Sequence, residues 1–197
     1  MSRFLTDFTF KFIKNNSSYS QEELLKIKYG IEGIYLTIVK MIIILAIGII
    51  FNYFDILILT LVFFNILRFF AFGLHAKESW QCLIISLIQF NLIPYILLKV
   101  NIPNWFYIFV FIGSFISFLL FAPSDTEKRP LTNRKKRIIR KSLSIVCVFV
   151  YALIAYIFSY FKIPIICSLL IESFMVNPFS YKLLGLSYNN YKKIIVA

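Results

Sequence analysis

Residues 68–82 read RFFAFGLHAKESWQC, a short polar interruption between two long apolar runs. The runs on either side are close to the ~20 residues that carry a helix across a hydrocarbon core of about 30 Å. The interruption is therefore a return at a membrane surface. It holds the one histidine of the chain, His75, and seven positions later a cysteine, Cys82. Histidine has the side chain whose unperturbed pKa lies nearest neutrality, and a cysteine becomes a strong nucleophile once a nearby base helps it lose its proton. One such pair suffices for acyl transfer.

Working outward, the composition fits lipid rather than water. Hydrophobic residues make up 60% of the 197, with 23 phenylalanines and only 15% charged residues, against roughly 45–50% apolar and 25% charged in ordinary globular domains. The mean hydropathy is +0.81. A formal net charge of +12 would suggest nucleic acid in a soluble protein. Here the basic residues avoid the apolar segments and are not interleaved with aromatics as a stacking groove requires, so no nucleic-acid partner is expected. Of three cysteines, Cys147 and Cys167 sit inside apolar runs; this is no disulfide framework, and both read as inert core thiols.

The pattern predicts an all-α, polytopic integral membrane protein of about six hydrophobic helices, a single domain over 1–197. Residues 1–28 form a cytoplasmic or interfacial segment without a signal-peptide core. In it Phe4, Phe8 and Phe12 recur beside Arg3, Lys11 and Lys14, as in a helix lying among headgroups. Ser20 with Glu23 is a capping-box pattern that starts a helix near Gln21. The spans are expected at Gly33 to about Phe54, Ile56 to about Phe72, Cys82 to Leu98 with a kink at Pro94, Trp105 to Phe121, Leu143 to Phe161, and Ile163 to about Phe179. One or two of these could re-enter rather than cross, the second first among them because Asn65 and Arg68 are costly at mid-bilayer depth. Between the fourth and fifth spans lies a basic loop, 123–142. From Lys128 to Lys141 it carries Lys128, Arg129, Arg134, Lys135, Lys136, Arg137, Arg140 and Lys141 and no acid.

An even number of spans puts both termini on one side. That side would hold eighteen of the 21 lysines and arginines, the other only Lys99 and Lys162. The bias is the orientation signal of a bacterial cytoplasmic membrane protein, and it puts the termini, the His75 stretch and the basic loop in the cytoplasm.

The chemistry leaves alternatives open at this level. In one continuous helix His75 and Cys82 would lie roughly 10 Å apart along the axis, at about 1.5 Å per residue, too far for proton transfer. Gly73 ending one helix and Ser79 capping the next would leave His75 in a turn and Cys82 at the third position of a helix, whose N-terminus favours a thiolate. Spacing alone equally allows an interfacial histidine and a small apolar filler. No metal ligand set and no cofactor motif is evident. The basic loop reads as a topological determinant or as a binding surface. Glu172, an acid inside the sixth span, is a functional candidate because an intramembrane charge is expensive.

Arg68, Gly73, His75, Ala76 and Cys82 together resemble the signature of the AgrB family, membrane endopeptidases of peptide quorum sensing. Tyr29-Gly30 with Glu32, Ala122-Pro123 followed by Lys128-Arg129-Pro130, and Glu172 with Pro178 follow in the family's order, so the resemblance covers essentially the whole chain. Many members carry a glycine pair where Phe72 precedes Gly73 here. The resemblance implies a cysteine endopeptidase with Cys82 as nucleophile and His75 as general base. Its substrate would be an AgrD-like precursor peptide, cut toward its C-terminus through a thioester that a peptide cysteine captures as a thiolactone. It also implies a homodimer in the lipid bilayer. Substrate contacts are expected from Arg68, Glu32, Lys128, Arg129, Arg134, Lys135, Lys136 and Glu172, the charge density of the basic loop suiting an acidic C-terminal tail of the peptide. The alternative from another class is a non-enzymatic small transporter or scaffold, with Arg68, Glu172 and Lys40 lining a path.

Overall fold

The computed structural model describes residues 9–13, 19–76, 78–126 and 130–192. The interfacial helix expected around Phe4 and Phe8 falls largely outside them, as do Lys77, Lys128, Arg129 and Lys193. Among the described residues no strand forms, and six helices are long and apolar enough to cross a membrane.

The chain divides into two units, 1–51 and 52–197. The first is dominated by α1 (Gln21–Ile50), which starts at the expected capping box: Glu23 N–H donates to the Ser20 hydroxyl, and the Glu23 carboxylate accepts from Ser20 N–H. Reciprocal bonding of this kind satisfies donors that the first turn would otherwise leave open. Ile34, Ile42, Ile49 and Ile50 of α1 are all exposed by 60% or more, as lipid-facing side chains are.

The second unit contains α2 (Phe54–Ala71), α3 (Ser79–Leu87), a π-helical turn (Ile88–Leu92), α4 (Ile93–Lys99), α5 (Asn104–Phe121), α6 (Arg134–Ile157), α7 (Lys162–Val176) and the short α8 (Pro178–Leu183). Its centre is α7. This helix packs most extensively on α2 and also on α4, α5 and α6, and Ile165, Ile166, Cys167, Leu169 and Val176 on it are fully enclosed. Leu67 and Ala71 of α2, Val110 and Phe118 of α5, and Val148, Tyr151 and Ala155 of α6 complete the core. Lipid is as apolar as leucine, so burial between helices gains little from the hydrophobic effect; close packing and interhelical hydrogen bonds carry the association. Tyr151 supplies one such bond, from its hydroxyl to the Phe63 carbonyl at 2.7 Å, with the two rings edge-on at 5.0 Å.

The structure adds detail at two of the expected spans and corrects the bounds of the basic loop. The second span is a helix of 18 residues, Phe54–Ala71. Asn65 is tolerated because its amide donates to the Leu61 carbonyl of its own helix at 2.7 Å. Pro94 produces a π-helical turn immediately before it, closed by Ile93 N–H bonding Ile88 O; proline lacks the N–H for the usual bond and crowds the preceding turn, and widening by one residue accommodates both. Finally, the basic stretch is helical from Arg134 onward. Asn133 is the N-cap, its side-chain oxygen accepting Lys136 N–H at 3.1 Å, so the positive run is the first turns of α6 rather than loop.

Candidate active site

Between α2 and α3 the chain makes a sharp exit. Helix α2 ends at Ala71, and both following residues take positive φ, Phe72 at 62° and Gly73 at 112°. Gly73 was expected to end the helix, but Phe72 leaves it first. A Cβ on Gly73 would overlap Nη1 of Arg68 and approach the Met175 carbonyl to 3.1 Å, so no other residue fits without displacement.

Three parts of the chain hold this exit. Phe72 pairs with Ser124 in an isolated parallel bridge: Gly73 N–H donates to Ser124 O at 2.8 Å, and Ser124 N–H to Ala71 O at 3.0 Å. Leu74 N–H donates to Met175 O at 3.1 Å, at the end of α7. The Ser124 hydroxyl donates to Val176 O at 2.7 Å. Arg140 of α6 reaches over the Phe72 ring, its guanidinium 4.4 Å from the centroid, and donates to the Phe69 carbonyl. The connection is thus fixed against α5, α6 and α7 although no strand runs through it.

His75 follows directly. Leu74 is buried and His75 is exposed, so the fixed segment presents the imidazole outward. Cys82 is half-buried in the first turn of α3. The cap differs from the expectation: Glu78 occupies the N-cap, its N–H donating to the Gln81 side-chain oxygen at 3.4 Å, and Ser79 is the first helical residue. Cys82 is consequently fourth in the helix, and its N–H makes the opening helical bond to Glu78 O at 3.1 Å. Histidine and cysteine therefore belong to one junction between two spans, each on separately anchored backbone.

The other candidates separate into groups. Arg68 and Glu172 come together: Arg68 Nη1 lies 3.6 Å from Glu172 Oε2, with the carboxylate fully enclosed and the arginine side chain 16% exposed. Arg68 also approaches the Met175 sulfur at 3.4 Å and donates through Nη2 to the Leu74 carbonyl. Arg134, Lys135 and Lys136 stand exposed on the first turn of α6, while Arg137 stacks on Tyr191 at 3.2 Å. Glu32 lies on α1, in the first unit. Among the described residues no cluster of three or more His, Cys, Asp or Glu is placed to hold a metal ion.

Sequence reasoning missed Ser124 and Asp125. Asp125 is enclosed and accepts the backbone N–H groups of Leu131, Asn190 and Tyr191 at 3.2, 2.9 and 2.8 Å, tying the C-terminal segment to the start of the basic stretch. Tyr181 donates to the Asp125 carbonyl at 3.2 Å; burial pushes its phenol well above the usual value, so it remains a donor. The available signal was an acid, one of only nine in the chain, beside a strongly basic run.

A family model, Accessory gene regulator B, matches residues 6–176. The chain belongs to the AgrB family. An AgrB-like protein of Listeria welshimeri is 33% identical over 175 residues, covering 88% of this chain and 86% of that protein. An AgrB-like protein of Clostridium acetobutylicum is 35% identical over 171 residues, covering 86% and 82%. The accessory gene regulator protein B of Staphylococcus carnosus is 33% identical over 140 residues, 71% of each chain. No solved structure matches. AgrB membership supports a role in agr quorum sensing, and with six candidate spans it points to a membrane protein.

Proposed function

We propose that this AgrB-family chain is a cysteine endopeptidase of the bacterial cell membrane, with both termini in the cytoplasm. It cleaves the C-terminal part of an AgrD-like precursor, with Cys82 as nucleophile and His75 as general base. The observation that supports this reading is the junction itself, where fixed backbone leads into the one imidazole of the chain, seven positions before a cysteine in the first turn of α3.

The chemistry follows from these two groups. His75 takes the thiol proton, and the Cys82 sulfur attacks the carbonyl carbon of the scissile amide. Collapse of the tetrahedral intermediate breaks the C–N bond, with the imidazolium returning its proton to the leaving amine, and leaves the peptide as a thioester on Cys82. A cysteine of the same peptide then attacks that thioester, expels the Cys82 thiolate and closes a thiolactone. This exchange replaces one thioester by another and so conserves the acyl bond's energy, provided water is kept away.

Arg134, Lys135 and Lys136 suit an acidic segment of the precursor. Basic side chains in a first turn oppose the helix macrodipole, so this end adds the helix's partial positive charge to three cations and attracts anions. Lys128 and Arg129 are candidates for the same contact, and Glu32 is a separate candidate on α1.

The test is precursor cleavage in proteoliposomes. Cys82→Ala should abolish it, Cys82→Ser should be nearly as damaging, and His75→Ala should cost about 100- to 10,000-fold in rate, the range for lost general-base assistance. A hydroxylamine-labile adduct should be trapped on Cys82. Cleavage persisting in Cys82→Ala, or an adduct on Cys147 or Cys167, would overturn the assignment.

A further inference from the structure

Glu172 is a fully enclosed acid on α7, and neither carboxylate oxygen accepts a hydrogen bond. An acid left this way in an apolar interior is expensive unless a counter-charge compensates it. The compensation comes from Arg68, 104 positions earlier in the chain, at 3.6 Å.

Arg68 connects that buried charge to the junction. Nη1 faces Glu172 and the Met175 sulfur, and Nη2 donates to the carbonyl of Leu74, the residue immediately before His75. The same guanidinium fills the space a side chain on Gly73 would occupy. Leu74 is therefore held on both sides, its carbonyl by Arg68 and its N–H by Met175 O, three residues beyond Glu172 on α7.

We infer that Glu172 and Arg68 are positioning residues for the reaction rather than contacts to the peptide. Glu172 fixes the guanidinium, the guanidinium fixes the Leu74 carbonyl, and the Leu74 backbone sets where the His75 imidazole stands relative to Cys82. The inference rests on the proposed roles of His75 and Cys82. Charge and geometry agree on it: an enclosed carboxylate has no access to a substrate, and the group it neutralises spends its second nitrogen on the backbone leading into the histidine.

The experiment uses full-length protein in proteoliposomes in a Cys147→Ala/Cys167→Ala background, so that Cys82 is the one thiol. Precursor cleavage and the pH dependence of Cys82 alkylation by iodoacetamide are both followed. Glu172→Gln keeps the shape and removes the charge. It should lower kcat on the order of 100-fold, the cost of an ångström-scale misplacement, with KM changed less than about 3-fold. Its alkylation profile should move to that of His75→Ala, and Glu172→Asp should recover part of the rate. Because Glu172→Gln leaves a buried cation unpaired and could fail to fold, the double variant Arg68→Met/Glu172→Leu removes both charges together. It should run as a monodisperse species in detergent, show the His75→Ala alkylation profile and cleave as slowly as Glu172→Gln. Wild-type cleavage and alkylation in either variant, with Cys82→Ala inactive, would overturn the positioning role alone. Cleavage by Cys82→Ala would instead overturn the nucleophile assignment beneath it.

Discussion

Two of the polar clusters enclosed in the second unit are held in opposite ways. At the junction of α2 and α3, Arg68 and Glu172 meet as a pair, and the surrounding backbone donors and acceptors of Gly73, Leu74 and Ser124 find partners. In the π-helical turn, Gln89, Phe90 and Asn91 are all enclosed. Tyr53 donates to the Asn91 side-chain oxygen at 2.6 Å, but among the described residues the Asn91 amide nitrogen finds no acceptor and the Gln89 side-chain oxygen no donor. An α-helix turns about 100° per residue, so three consecutive residues seldom face inward together; the wider π turn ahead of Pro94 allows it. One polar insertion is thus a network closed by an ion pair that fixes backbone, Glu172 being held by charge rather than by hydrogen bonds, and the other has no counter-charge for its unpartnered groups. A closed network should be intolerant of change, whereas an open one should tolerate or even favour apolar replacement.

The largest expected contrast is Gly73→Ala. The new methyl meets Arg68 and the Met175 carbonyl at a φ of 112°, so it displaces the guanidinium as well as straining the backbone. Strain at such a φ alone costs about 1–3 kcal/mol. Thermal unfolding in detergent should show a loss of at least that size, together with loss of precursor cleavage. Wild-type behaviour in both would mean that the closed network is not tight at its centre.

Gln89→Met should have a smaller effect and the opposite sign. Removing a buried acceptor without a partner relieves a desolvation cost of about 1–3 kcal/mol, so the melting temperature should rise or stay level. A marked fall would show that Gln89 is satisfied after all, and the contrast between the two regions would disappear.

The smallest expected effect is that of Phe72→Gly. Glycine relieves a phenylalanine held at φ 62°, worth about 1 kcal/mol at the low end for such a residue. It also removes the Arg140–Phe72 contact at 4.4 Å, worth about 0.5–1 kcal/mol where exposed. The two should nearly cancel, and a melting shift within a few degrees would agree. A large gain would mean that the strain dominates, and a large loss that Arg140 holds the junction more firmly than its geometry implies.

Much of this fold was legible in sequence because lipid imposes a simple rule: backbone groups in hydrocarbon must bond within their own segment, so an apolar run of sufficient length becomes a helix. The six helices, the Ser20–Glu23 start of α1 and the end of α5 at Ala122 follow from local pattern. Boundaries defined by polar residues were less readable. A basic run reads as loop, yet Asn133 caps it into helix, and a serine reads as a cap where Glu78 and Gln81 supply it. By itself the sequence determined that His75 and Cys82 would stand close in the chain at a break between spans, because seven residues with one glycine leave little else. Only the tertiary structure decided what holds that break. Arg68 and Glu172, Leu74 and Met175, and Ser124 and Val176 are far apart in sequence, and hydropathy registers the polar members as a cost or as neutral. Their pairing depends on α2 and α7 packing at one register, a property of the assembled bundle that no local window contains.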